Sequence, residues 1–108
     1  MAFPLTSTGA LADDPAACII IPEDWDAVPD GLCIDSEGML WIALFGGGCV
    51  TRWDPLRSCL LERPALPCRQ VTSCCFGGPN LDQLFMTTAR RKMDPAAIAA
   101  EPLAGGLF

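Results

Sequence analysis

The chain has 108 residues, is 51% hydrophobic and 19% charged, and carries a net charge of −6. That length holds one domain at most, and the composition excludes an intrinsically disordered chain. Net negative charge without a basic stripe excludes phosphate-backbone binding, so no nucleic-acid partner is expected.

In chain order, short runs with β-branched and aromatic content alternate with Gly, Pro, Asp and Asn, the pattern of an all-β protein. Cys18–Ile21 is the first predicted strand, closed by Pro22. Gly31–Asp35 is the next; it turns through Asp35-Ser36-Glu37-Gly38, and Leu40–Leu44 returns. Gly46-Gly47-Gly48 turns the chain into Cys49–Trp53, which ends at Asp54-Pro55, and Ser58–Glu62 follows. The result is a four-stranded antiparallel meander. Within it, the longest mostly apolar run, Met39 to Val50, is too short for a bilayer and holds three glycines, so no membrane association is expected. The first basic residue is Arg52, which leaves no positively charged leader, and the expected compartment is the cytoplasm.

A second unit then begins. Ser73–Phe76 turns at Gly77-Gly78-Pro79-Asn80 into Gln83–Thr88. Asp94-Pro95 is positioned to cap a short helix, and Gly105–Phe108 reads as the start of a third strand. Aligning "CIDSEGMLWIAL" with "CFGGPNLDQLFMTT" pairs Cys33 with Cys75 and Trp41 with Phe85, at offsets of 42 and 44 residues. A strand–turn–strand period in the low forties is what propeller blades show. Trp41 and Trp53 are expected to pack between such units.

Residues 1–51 hold eight acids and no Lys or Arg, whereas residues 52–108 hold five acids and seven bases. Arg90-Arg91-Lys92 is the one basic cluster, too small for a site. Of the seven cysteines no two are spaced as C-x-x-C, and histidine is absent, so a tetrahedral zinc site is not indicated. Cys33, Cys49 and Cys75 fall in apolar strand patterns and read as small core hydrophobes with free thiols. Cys74 and Cys75 are adjacent and should point to opposite faces of a strand, which disfavours a vicinal disulfide. Asp30, between Pro29 and Gly31, reads from its type and position as either a turn residue or a hard oxygen ligand for a divalent cation. The "DSEG" turn lacks the alternating ligands of a calcium-binding EF-hand loop and reads as a hairpin turn.

The motifs "TGAL", "PDGLCIDSEGMLWIAL", "GGGCVTRWDP", "LPCRQVTSCCFGG" and "AR…EPLAGGLF" resemble, in order, the C-terminal part of the gluconolactonase/regucalcin (senescence marker protein) family. The cysteines of "GLCID" and "TSCCFGG" make the regucalcin branch the nearest. The resemblance implies about two blades of a six-bladed β-propeller: residues 1–28 ending one blade, 29–66 forming a complete one, and 67–108 an incomplete one. It further implies a divalent metal (Ca, Zn, Mn or Mg) in the central channel, held by a glutamate, an asparagine and the aspartate of P-D-G. That aspartate maps onto Asp30, as metal ligand and as catalytic base in the hydrolysis of a sugar lactone. The other two ligands have no counterpart here, so the metal site is incomplete and the chain alone should be inactive. "ALFGGG" also stands where many relatives carry asparagine or histidine before the glycines, and "DPLRSC" lacks the glycine common after the aspartate–proline. The alternative is a non-enzymatic fragment that binds calcium or another protein.

Overall fold

Six apolar runs bounded by residues that force a turn become strands, and they build two antiparallel sheets. The computed structural model describes residues 1–16 and 18–108. β1 (Val28–Ile34), β2 (Leu40–Phe45), β3 (Cys49–Asp54) and β4 (Cys59–Glu62) make one meander in sequential order. β5 (Val71–Gly77) and β6 (Gln83–Thr88) make the second sheet. Its far edge is extended by the last residues, since Met86 and Phe108 exchange both backbone hydrogen bonds, at 2.8 and 2.9 Å. Between them lies α1 (Pro95–Ala100), capped by the Asp94 carboxylate, which accepts from the Ala97 N–H at 2.8 Å. No helix among the described residues is long and apolar enough to cross a membrane.

The repeat read from the sequence is a repeat in space. Cys33 pairs with Trp41 in the first sheet, and Cys75 pairs with Phe85 at the equivalent register of the second. The expected strand at Cys18–Ile21 does not form. That segment is extended but has no ladder; Ile19 and Ile21 instead lay their side chains on the first sheet, and a 3₁₀ turn at Glu23–Trp25 follows. Burial of side chains, rather than backbone pairing, holds it in place.

The first sheet is apolar on both faces. On one side Ile42, Leu44, Cys49 and Trp53 form a buried cluster covered by Ile19, Ile21 and Trp25. On the other, Ala43 and Val50 pack against Val71 and Cys74 of the second sheet, with Cys33, Trp41, Leu84 and Met86 at the margin. Trp41 therefore lies between the sheets, with its ring edge-on to Phe76 at 5.9 Å. Trp53 points the other way, toward Trp25 at 6.4 Å. The core reading of the cysteines holds for Cys49, which is buried, but is out of phase in β5, where Cys74 is buried and Cys75 exposed. Cys75 shares the orientation of Cys33 in the repeat, and its face of the second sheet is uncovered.

The second and third turns of the meander are fixed by different means. Gly46 and Gly48 have φ of +88° and +62°, and their N–H groups both donate to the Arg69 carbonyl, at 2.9 and 3.1 Å. The chain leading into β5 is thereby pinned to the first sheet. At the β3–β4 turn, the Asp54 carboxylate accepts from the N–H groups of Leu56 and Arg57, and Ser58 takes the left-handed position at φ +52°. Serine thus occupies the conformation that glycine takes without strain.

Asp35 is a turn residue, as "DSEG" implied, and it also anchors the sheet. Its carboxylate accepts from the Glu37 and Met39 N–H groups at 3.0 and 2.9 Å, from the Trp41 indole at 3.0 Å, and from Arg52 Nε at 2.8 Å. Arg52 also pairs with Glu37 and Glu62 and stacks over Trp41. Burial, the largest single influence, raises the Asp35 carboxyl, but the donors together outweigh it and hold the group at about 2, below its ordinary 3.8. The stabilisation is complete above the unfolded value, near pH 4, and is lost as the pH falls toward 2. Asp35→Ala should cost about 2–4 kcal/mol of folding stability. Urea unfolding at pH 7 and pH 3 should show that cost shrinking at the lower pH, while an equal cost at both would separate Asp35 from the acid response.

Candidate metal centre

Asp30 lies inside β1, not before it as the sequence suggested. Pro29 faces Leu44 and Leu32 faces Ile42, so Asp30 and Gly31 together oppose the single residue Ala43. This is a β-bulge, which bends a strand and re-aims the side chain at the extra position. Pro29 suits the place because β1 is an edge strand of its sheet, where the N–H that proline lacks can be dispensed with. Asp30 itself is exposed. Asp35 and Asp54 spend their carboxylates on turn N–H groups and arginines. The Asp30 carboxylate has no such partner among the described residues, so it is available to a ligand.

Gly31 sets how near the second sheet can come. A Cβ built there would lie 2.8 Å from Ser73 Cα and would collide with the Ser73 side chain. β1 and β5 are therefore neighbours across the sheet–sheet junction, as expected of successive inner strands. Ser73 lies against the residue next to Asp30. This contact was not legible in the sequence, where Ser73 stands in "TSCCFGG" without an assigned role and Gly31 reads as an ordinary turn glycine. On its other side Asp30 borders a groove lined by Ile19, Ile21, Leu32, Leu40 and Ile42, in which it is the one charged side chain among the described lining residues.

Asp30 offers a hard oxygen donor in an accessible position, but no group of three or more His, Cys, Asp or Glu side chains able to hold a metal occurs among the described residues. Arg90, Arg91 and Gln70, the other polar cluster, are engaged in structure. Arg90 donates to the Ala104 and Pro102 carbonyls, and the Gln70 side chain both donates to and accepts from the Arg91 backbone.

Comparison with known proteins identifies the lineage. The family model described as SMP-30/gluconolactonase/LRE-like region matches residues 1–90. This chain belongs to that family. Human regucalcin is 46% identical over 86 residues, covering 80% of this chain and 29% of the relative. Zebrafish (Danio rerio) regucalcin is 47% identical over 83 residues, covering 77% and 28%. A crystal structure of a calcium-binding protein, regucalcin, from Agrobacterium tumefaciens superposes with a TM-score of 0.85 at 33% identity, over 98% of this chain and 36% of that one. A luciferin-regenerating enzyme superposes with a TM-score of 0.75 at 31% identity, over 97% and 35%. The chain thus spans less than a third of the curated relatives' length. Its two sheets are part of the regucalcin-like β-propeller.

Gly31→Ala should lower stability by about 1–3 kcal/mol, because the added methyl meets Ser73 Cβ and Cα as well as its Oγ, and turning the hydroxyl away clears only the last. Adding Ser73→Ala should recover only part of the loss. Full recovery in equilibrium unfolding would show that the Ser73 side chain alone, not strand spacing, sets the contact.

Proposed function

We propose that this chain is the part of a metal-dependent lactone hydrolase of the gluconolactonase/regucalcin type that contributes Asp30 to the metal site, the substrate being a sugar lactone. The observation that carries the reading is the place of Asp30: an exposed, uncommitted carboxylate at a bulge of an inner strand, in a chain of this family. A divalent cation (Ca, Zn, Mn or Mg) held in such a site would polarise the lactone carbonyl and acidify a water molecule. Asp30 would be one of the groups holding it and the base that takes the proton from the attacking water. The bulge steps the Asp30 position out of the regular ladder of β1, and the Gly31–Ser73 contact fixes β1 against β5.

One carboxylate does not retain a cation against water, so the chain alone should not hydrolyse lactones. Joined in frame to the N-terminal two thirds of a regucalcin, it should hydrolyse an aldonolactone with loss of activity on chelation. In that chimera Asp30→Ala should reduce turnover on the order of a hundred-fold or more, whereas Asp35→Ala should act on stability. Proton release followed by pH-stat, with and without chelator, measures each case. Chelator-sensitive hydrolysis by the 108-residue chain, or full activity of the Asp30→Ala chimera, would overturn the assignment.

A second reading is favoured by the Agrobacterium relative, which is described as calcium-binding. In it Asp30 helps bind calcium without lactone hydrolysis. Calorimetric calcium binding by the chimera, abolished by Asp30→Ala and unaccompanied by lactone turnover, would select that reading.

A further inference from the structure

Cys33 of β1 and Cys74 of β5 bring their sulfurs to 3.7 Å across the junction of the two sheets. The residues are 41 apart in sequence and belong to different sheets, so the approach comes from tertiary packing and not from chain connectivity. Cys74 also donates to the Trp41 carbonyl at 3.4 Å, which directs its Sγ toward the first sheet. The backbones are already close here, because Gly31, two residues before Cys33, lies against Ser73, the neighbour of Cys74. A disulfide needs sulfurs about 2.05 Å apart. Closing the gap therefore shortens the sulfur separation by about 1.7 Å.

We propose that Cys33 and Cys74 are a reversible redox pair whose disulfide locks β1 to β5 beside Asp30. The oxidant is a low-molecular-weight disulfide such as oxidised glutathione. The Cys33 thiolate, on the half-buried and more accessible side, attacks one sulfur of that disulfide and releases one reduced glutathione. Cys74 then attacks the mixed disulfide, releasing the second glutathione. Two thiol protons are lost and the oxidant takes up both electrons. Burial raises both thiols, Cys74 to about 12, so little of either is thiolate at neutral pH and exchange speeds up as the pH rises. Cys75 takes no part, because it points to the opposite, exposed face of the second sheet.

The test is equilibration of the reduced chain in an oxidised/reduced glutathione buffer at pH 8.5, alkylation of remaining thiols, and cross-link mapping by mass spectrometry. A Cys75→Ala chain removes the ambiguity of adjacent cysteines; of its six thiols four should remain, with the Cys33-containing peptide joined to the Cys74-containing one. The oxidised form should unfold at higher urea than the reduced form, and Cys33→Ala should abolish both effects. Fragmentation between residues 74 and 75 of the unsubstituted chain decides the connectivity even if a variant fails to fold. Glutathione retained on single cysteines without that cross-link would overturn the proposal. So would a Cys33–Cys74 disulfide that leaves the urea midpoint unchanged or lowers it.

Discussion

The close approach of the two sheets is the constraint on which the rest depends. It is possible because the residues at the junction are small: Gly31 on β1, Ala43 on β2, and Ser73 and Cys74 on β5. Close-packed interiors tolerate little change of volume, so this choice of residues fixes the strand spacing to within less than a methyl group. Everything near the candidate site inherits that spacing. The bulge carries Asp30 one residue from the contact, and the Cys33–Cys74 pair lies one strand pitch further along.

Two aspartates in the same strand region show how environment separates roles. Asp35 is enclosed by donors, and its charge is consumed in closing a turn and holding Arg52. Asp30, five residues earlier, is left free by the bulge. Composition treats them alike. The backbone distinguishes them, because a regular hairpin directs N–H groups at Asp35 while the irregular pair Asp30–Gly31 steps out of the ladder.

Much of the architecture was legible in the sequence for a simple reason: glycine, proline and aspartate at the turns act locally. β6 matches its predicted limits, and the Asp94 cap and the repeat register of Cys33 with Cys75 are as read. What failed was non-local. Cys18–Ile21 has strand composition but no backbone partner, and a strand needs one. The burial of Cys74 rather than Cys75 depends on which face of β5 meets the first sheet, and alternation alone leaves that phase open. Asp30 was recognised as a candidate, but its position in a bulge follows from a register shift against β2 that no local pattern encodes.

The first sheet has apolar residues on both faces, and Leu32 and Ile34 of β1 remain exposed on the side covered in part by Ile19 and Ile21. Its strand ladders close within the meander, yet its burial is shared with whatever lies on either side. Such a sheet behaves like one spin in a short one-dimensional array: its own term is weak, and its stability comes from coupling to neighbours. Cooperativity in this fold therefore resides in the junctions, and a change at Gly31 or Cys74 alters the coupling between units more than the order within either one.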